Sequence, residues 1–177
     1  GKKVVVIGSG ATAVTVVPAM AETAEHVVML QRTPSWLIPV PRRDKLVNNL
    51  RPYVPGMVLH KAARAKNIAQ NMFIYQLSRV RPEAANKIVV GFQKGRIPDD
   101  IRLEHFTPEY NVWDQRLCAV PSGDFFRSVK SGKVSVVTNT IERFVPEGIK
   151  LANGEVLEAD IIVTATGLIL KPLGGGQ

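Results

Sequence analysis

Runs of branched apolar residues alternate with helix-like stretches along this chain. Residues 3–7, 26–30 and 134–137 are short runs dominated by branched apolar side chains, which are typical of strands buried in a parallel sheet. An apolar run over 12–24 predicts a helix between the first two strands, and 160–167 predicts a buried return strand ending in small residues. This order predicts an α/β fold with a doubly wound, Rossmann-like, mostly parallel sheet and the first strand at its centre.

Three shorter extended runs precede the return strand, at 141–145, 149–151 and 156–157. Turn sequences separate them, and Asn153-Gly154 is a strong signal for a tight hairpin. We therefore predict an antiparallel β-meander between the third strand and the return strand.

The stretch after the second strand has a different pattern. Three prolines are predicted to break regular structure there: Pro34, Pro39 and Pro41. Apolar residues then recur at helical spacing over 58–80 and 85–92. We predict one domain, residues 1–177, with a helical insertion over about 42–97.

The predicted insertion is strongly basic. Between Arg42 and Arg96 there are 12 Lys or Arg and two acids, a net charge of +10, so the other residues carry −2 of the chain's +8. We expect a solvated cationic face that packs against the rest of a larger enzyme. Peripheral contact with a membrane surface is the alternative, and no nucleic acid is expected because no aromatic-and-basic strand pattern is present.

A glycine-rich turn joins the first strand to the helix that follows it. Its residues have the G-x-G-x-x-A spacing of a dinucleotide-binding loop: Gly8, Ser9, Gly10, Ala11, Thr12 and Ala13. Gly8 allows a sharp turn, Gly10 lets a pyrophosphate approach the main chain, and Ala13 allows helix and strand to pack closely. The helix then directs unpaired N–H groups at the phosphates. The alternative is a purely structural tight turn.

The end of the second strand indicates which nucleotide binds. NAD-dependent enzymes usually place an acid there for the ribose 2′-hydroxyl, whereas this chain has Gln31, Arg32 and Thr33. An arginine can pair with a 2′-phosphate, and Thr33 can add a hydroxyl donor. We therefore predict NADP(H), with a solvated surface Arg32 as the alternative.

Composition adds few constraints. With 45% apolar residues, the chain is expected to be one soluble domain, and no apolar run is long enough to cross a bilayer. The single Cys118 fits a reducing, cytoplasmic setting and is expected to be a packed side chain rather than a nucleophile. The three histidines lack metal-ligand spacing, so no metal site is expected.

The first predicted strand begins close to Gly1, and residues 173–177 follow soon after the last one. This pattern is expected of a domain cut from a larger protein at two linkers. We therefore expect the chain to be part of a longer polypeptide.

Four segments together resemble the NADPH-binding domain of class B flavoprotein monooxygenases of the Baeyer–Villiger type. They are the glycine turn at 8–13, Gln31-Arg32-Thr33-Pro34, the stretch from Tyr110 to Cys118, and Ala165-Thr166-Gly167. The resemblance covers nearly the whole chain, including the basic insertion, and is closest to the ethionamide-activating monooxygenases.

The resemblance implies a flavoenzyme that uses NADPH, FAD and O2 to oxygenate a ketone or a sulfur-containing compound. It implies that Arg116 is the active-site arginine beside flavin and nicotinamide, where it stabilises the anionic oxygen intermediate; a guanidinium suits that task. It also implies that Ala165, Thr166 and Gly167 lie close to the cofactor cleft. Taken alone, Arg116 is a loop arginine.

This chain departs from the sequence pattern of the family in two respects, which limit these expectations. Many relatives have Lys before the active-site arginine as a second 2′-phosphate contact, and this chain has Gln115. The FAD-binding glycine motif and the family fingerprint with its His and Trp are absent, so FAD is expected to bind elsewhere in the intact polypeptide. A stand-alone NADP(H)-binding module, or the NADPH-binding half of another two-dinucleotide flavoprotein oxidoreductase, stays open; one cysteine argues against a disulfide reductase.

Overall fold

The computed structural model describes residues 1–98 and 101–168, and the predicted linker at 173–177 lies outside this part. In chain order the elements are β1 (Lys3–Ile7), α1 (Ala11–Met20), β2 (His26–Gln31), β3 (Trp36–Val40), α2 (Lys45–Leu50), α3 (Gly56–Val80), α4 (Pro82–Lys94), a 3-10 turn (Leu103–Phe106), β4 (Leu117–Pro121), α5 (Asp124–Lys130), β5 (Val134–Thr138), β6 (Ile141–Val145), β7 (Gly148–Leu151), β8 (Val156–Glu158) and β9 (Ile161–Thr164). They form two compact units: unit 1 comprises residues 1–34 and 131–177, and unit 2 comprises residues 35–130.

Unit 1 contains a parallel sheet with the strand order β5-β2-β1-β9. The predicted first strand, β1, lies inside this sheet between β2 and β9. The mixed α/β fold with a mostly parallel sheet and an antiparallel sheet is therefore confirmed. Val4, Val5 and Val6 are almost completely buried, as expected for a central strand with a branched apolar sequence.

The predicted meander is the antiparallel sheet β6-β7-β8. Its buried residues Ile149, Leu151 and Leu157 form one hydrophobic cluster with Val5 and Leu30 of the parallel sheet. The meander therefore takes the place of a helix in covering part of the parallel sheet.

Two boundaries in unit 1 differ from expectation. The first helix ends at Met20, not near residue 24. Turn-type bonds follow it, such as that from Thr23 N to Met20 O (3.1 Å), and Glu25 N then donates to Lys2 O (3.1 Å), which returns the chain to the sheet. The return strand β9 is not buried: Ile161 is 42% and Ile162 is 36% exposed. The reason is its place at the sheet edge, where β1 is its only neighbour among the described strands.

Unit 2 contains a two-stranded parallel sheet of β3 and β4. The expectation that prolines prevent regular structure here is wrong, because Pro39 lies within β3, opposite Val120. A strand with a single neighbour has one edge free of ladder hydrogen bonds, so a residue without an N–H is tolerated there.

The residues predicted to form a helical insertion contain α2, α3 and α4. Trp36 of β3 packs with Ala85 and Val89 of α4 and with Val112 in one buried cluster. A second cluster is aromatic, with Phe106, Phe125 and Phe126 in mutual edge or tilted contact at centroid distances of 5.9–6.4 Å. No helix in the described part of the chain is long and apolar enough to span a bilayer.

Candidate nucleotide-binding site

The carboxyl ends of β1, β2 and β9 meet at one edge of the parallel sheet. Ile7 is aligned with Leu30 on one side and with Thr164 on the other. Three segments therefore begin at the same position along the strand direction: the glycine turn, Arg32-Thr33 and Ala165-Thr166-Gly167. Ligands of open α/β sheets bind at this edge, in the crevice beyond the carboxyl ends of the strands.

Gly8 is held against the end of β9. Gly8 N donates to Leu30 O (2.8 Å), and Ala165 N donates to Ile7 O (2.8 Å). Gly8 has φ +135°, and a Cβ built on it would lie 2.9 Å from the carbonyl carbon of Ala165 and closer still to its oxygen. The position thus requires glycine both for its backbone conformation and for the close approach of β9.

The amino end of α1 offers unpaired backbone donors. Gly10 is its N-cap in an extended conformation without a side-chain capping bond, and the first intrahelical hydrogen bond runs from Val14 N to Gly10 O (3.1 Å). The N–H groups of residues 11–13 therefore lack an intrahelical acceptor. No acid lies in the first turn, and a Cβ built on Gly10 meets no atom within 4 Å. An anionic group can approach this backbone closely.

The residues of the glycine turn at the amino end of α1 differ in their exposure to solvent. Ala11 and Thr12 are exposed, whereas Ala13 is fully buried against the sheet. Ser9 is buried, and its hydroxyl donates to Thr33 O (3.0 Å), which ties the glycine loop to the segment after β2.

Arg32 and Thr33 are exposed at the end of β2. The Arg32 side chain has no hydrogen bond or ion pair with any other residue among 1–98 and 101–168. Just before it, Gln31 is buried and its amide donates to the hydroxyl of Thr138 at the end of β5 (2.9 Å). A free guanidinium on a fixed strand end suits recognition of an anionic group.

The third predicted segment, at the end of β9, follows directly from the sheet. Ala165 is half-buried, whereas Thr166 and Gly167 are exposed. Gly167 has φ +115°, a conformation that only glycine adopts without strain. The structure thus brings together the three predicted segments of unit 1.

The other two predicted residues, Gln115 and Arg116, lie in unit 2, on the loop before β4, and both are exposed. The hydroxyl of Tyr110 donates to the carbonyl oxygen of Arg116 (3.0 Å). Cys118, two residues further on, is buried, and burial raises the pKa of its thiol, as expected for a packed side chain.

Residues of the insertion helices hold the 110–116 loop. Arg79 of α3 donates to Asp114 (2.8 Å), and Asn86 of α4 bonds both the side chain of Asn111 (2.9 Å) and the backbone N–H of Val112 (3.0 Å). Trp113 has φ +72°, and its ring meets Tyr75 of α3 edge-on at a centroid distance of 6.0 Å. The insertion helices therefore support the loop that carries Arg116, a role that the net charge of the insertion did not predict.

Asp114 is the charged centre of this network. The hydrogen bond from Arg79, followed by that from Asn111, holds the pKa of the Asp114 carboxyl below its ordinary value of 3.8. A depressed carboxyl pKa in the folded state stabilises the fold above the ordinary value, and this contribution is lost as pH falls through the folded-state pKa.

We expect Asp114→Asn to lower the melting temperature at neutral pH, and this difference from the parent to shrink once the pH falls below 3.8. Thermal unfolding of both proteins between pH 7 and pH 2.5 measures it. Glu109→Gln is the matched control, because Glu109 is exposed and has no ion pair with a described residue. A melting-temperature difference that stays constant over the whole pH range contradicts this role of Asp114.

Sequence reasoning assigned no positioning role to four residues that hold the site in place. Gln31 and Thr138 fix the strand end before Arg32, and Arg79 and Asn86 fix the loop that carries Arg116. For Gln31 a signal existed, since it is a polar residue that ends an otherwise apolar strand. Arg79 and Asn86 had no such signal, because nothing in helical spacing distinguishes them from other polar residues of α3 and α4.

Comparison with known proteins shows which proteins this chain is similar to. No protein-family model matches the chain. The FAD-containing monooxygenase EthA of Mycobacterium tuberculosis is 48% identical over 177 residues, covering 98% of this chain and 36% of that protein. A protein named Probable FAD-binding monooxygenase AlmA, from Acinetobacter baylyi, is 47% identical over 176 residues, covering 99% of this chain and 35% of that protein. The chain thus spans about a third of the length of these relatives, and the predicted resemblance to flavoprotein monooxygenases is confirmed.

Solved structures agree on the fold. A structure of OTEMO in complex with FAD and NADP matches with a TM-score of 0.67 at 23% identity, covering 97% of this chain and 38% of that one. An open structure of cyclohexanone monooxygenase matches with a TM-score of 0.66 at 20% identity, covering 94% of this chain and 40% of that one. At these identities the likeness shows the Rossmann-like fold alone.

Proposed function

We propose that this chain is the NADP(H)-binding domain of an FAD-dependent monooxygenase. The observation that carries the proposal is the crevice of unit 1, where a glycine turn, the open amino end of α1 and an unpaired Arg32 meet with no acid at the end of β2. The monooxygenase names of relatives that are 47% and 48% identical to this chain support it.

The residues of the crevice fit a dinucleotide phosphate. The N–H groups at the start of α1 and the bare Cα of Gly10 would bind the pyrophosphate. Arg32 would hold the 2′-phosphate, with Thr33 as a further donor, because a guanidinium matches phosphate oxygens in a bidentate pair. Gln115 belongs to unit 2 and not to the crevice, and its contact with the 2′-phosphate stays a prediction.

FAD would be held by another part of a longer polypeptide, because the sequence contains one complete dinucleotide-binding glycine motif and Gly8–Ala13 occupies it. When bound, FAD would supply the chemistry that activates O2. We propose that the intact protein uses NADPH to oxygenate a ketone or a sulfur-containing compound, with Arg116 as the catalytic arginine that stabilises developing negative charge. The names of the EthA and AlmA relatives, both of which are monooxygenases, support this class of reaction.

The remaining polypeptide is also the partner we propose for the exposed side of α3. Its solvent-facing residues combine cations with large apolar side chains that are 57–68% exposed: Met57, Val58, Met72 and Phe73. Such a face suits burial by another domain, and contact with a membrane surface is the second proposal for it. A cytoplasmic location for the intact protein stays a prediction.

The experiment that tests nucleotide binding compares NADPH and NADH in the parent protein and in Arg32→Ala. We expect the parent to prefer NADPH and the variant to lose about ten- to a hundredfold in NADPH affinity, because one charge-assisted phosphate partner is removed. NADH affinity should not change. Fluorescence titration with both nucleotides measures this.

Arg143→Ala is the control, since Arg143 is exposed in the same unit but pairs with Glu142 on β6 (3.0 Å). Equal affinities of the parent for NADPH and NADH would overturn the assignment of Arg32. A stand-alone nucleotide-binding module is favoured instead if the full-length polypeptide binds NADPH with this preference but holds no flavin.

A further inference from the structure

Unit 2 contains a basic cleft that the proposed nucleotide site does not use. Its volume is about 580 Å³, and it lies at the carboxyl ends of β3 and β4. Its polar lining consists of four cations and two neutral donors: Arg42, Arg43, Lys45, Arg96, Asn48 and Ser122. The proline-rich end of β3, residues 39–41, forms an apolar wall. A cleft of this volume is within the range of small-molecule sites.

The floor of the basic cleft is fixed by backbone contacts. Ser122 N donates to Val40 O (2.7 Å), which joins the chain after β4 to the end of β3. Ser122 has φ +53° and Gly123 φ +66°, so the backbone turns sharply at this point. A Cβ built on Gly123 would lie 3.9 Å from the Cβ of Pro39. The turn therefore packs against the apolar wall.

Arg96 is held over this turn. Its guanidinium donates to Phe92 O (2.7 Å) at the end of α4, and its Cδ and Nε lie 4.0 Å from the position of a Cβ on Gly123. A guanidinium with one N–H engaged keeps further donors for a ligand, and its preset position lowers the entropy that binding would cost.

The charge of the basic cleft is not neutralised within the described chain. None of the four cations has an ion pair with a described residue. Asp44, which lies between Arg43 and Lys45 in the sequence, pairs with Lys66 of α3 and accepts from Leu46 N (3.0 Å) and Val47 N (3.3 Å) as the N-cap of α2. These bonds also hold the pKa of its carboxyl below the ordinary value. Asp44 is therefore occupied elsewhere and does not serve as the counter-ion of the cleft.

We propose that the basic cleft binds the phosphate group of a small organic ligand or lipid headgroup. Arginine forks match phosphate oxygens in pairs, and four cations without an ion pair among the described residues favour an anion. The hydroxyl of Ser122 and the amide of Asn48 add donors. The volume exceeds that of one phosphate, so the organic part of the ligand lies against residues 39–41. This site is built from residues of unit 2 alone, whereas the nucleotide crevice is built from unit 1 alone.

The test uses arginine labelling by phenylglyoxal on the full-length polypeptide, with NADP⁺ present throughout and peptide mass spectrometry as the readout. Inorganic pyrophosphate is expected to slow labelling of Arg42, Arg43 and Arg96 severalfold relative to sodium chloride at the same ionic strength. Arg102 is the internal control, because it is exposed and pairs with Glu104 outside the cleft. Vesicles of phosphatidylglycerol and of phosphatidylcholine form the second arm.

Protection by pyrophosphate alone assigns a soluble phosphate ligand, and protection by phosphatidylglycerol vesicles but not phosphatidylcholine vesicles assigns a lipid headgroup. Labelling that is as slow in sodium chloride as in pyrophosphate, or protection of Arg102 to the same extent, would each overturn the proposal. So would labelling that no probe changes.

Calorimetric titration with pyrophosphate under the same conditions adds a measure of affinity. Arg96→Gln is expected to weaken binding about tenfold, whereas Arg102→Gln leaves it unchanged. Lys45→Gln, on the exposed rim, provides the same comparison if Arg96→Gln fails to fold. Unchanged affinity in both cleft variants contradicts the site.

Discussion

Full-length protein carrying Arg116→Ala is expected to consume NADPH but to lose nearly all oxygenated product and to accumulate hydrogen peroxide. This follows from the proposed function. A guanidinium beside the reacting oxygen would stabilise negative charge as it develops there, and alanine would leave that charge unsupported. Hydride donation by NADPH develops little charge of this kind, so nucleotide oxidation should continue.

Stopped-flow measurement of the reductive and oxidative half-reactions separates this role from a structural one. Glu109→Gln, at an exposed residue just before the same loop, is the control, and it should keep NADPH consumption coupled to product. If Arg116 only supports the loop, stability and both half-reactions fall together in Arg116→Ala. Normal coupling in Arg116→Ala shows that the catalytic assignment is wrong.

The contacts of the loop indicate that Arg116→Ala should not disturb the loop backbone. The contact recorded between Tyr110 and Arg116 is made by the carbonyl oxygen of Arg116, not by its side chain. The side chain of Arg79 donates to Asp114. The side chain of Asn86 donates to Asn111 and accepts from Val112 N. Removing the guanidinium therefore leaves the described support of the backbone in place.

The second large effect is expected at the glycine turn, where one glycine substitution should lower stability and another should lower nucleotide affinity. Gly8→Ala should destabilise unit 1 by at least about 1–3 kcal/mol from backbone strain alone, because its φ is +135°. Its methyl group would also overlap the carbonyl group of Ala165 and push β9 from the sheet. Thermal unfolding measures this loss.

Gly10→Ala should leave stability unchanged, because Gly10 has φ −82° and a Cβ there meets no protein atom within 4 Å. The same methyl group would occupy the space through which a pyrophosphate approaches the backbone, so NADPH affinity should fall about tenfold. Two variants with equal stability and equal nucleotide affinity would contradict the site. Loss of stability in Gly10→Ala would show that its glycine serves the fold.

The amino-acid sequence by itself predicted the strands of unit 1 and supplied the residue types of the crevice. Uninterrupted branched apolar runs predict central strands because few other structures bury every side chain, and Asn153-Gly154 predicts a hairpin because both residues accept positive φ. The glycine spacing and the absence of an acid after residue 30 are likewise local signals. Each of these signals depends on residues that are close together in the sequence, so it can be recognised without knowing the tertiary contacts.

Only the tertiary structure decided which parts of the chain meet. Periodicity shows that 160–167 contains a strand, but the partner strands decide that β9 lies at an edge with Ile161 and Ile162 exposed. Proline chemistry argues against a strand at Pro39, and the single neighbour of β3 permits one. Arg79 and Asp114 are 35 residues apart, and their pairing depends on how α3 packs beside the loop. The spacing of residues along the sequence predicts which face of a helix or strand a residue occupies. Pairs such as Arg79 and Asp114 depend instead on which distant segment the fold places against that face.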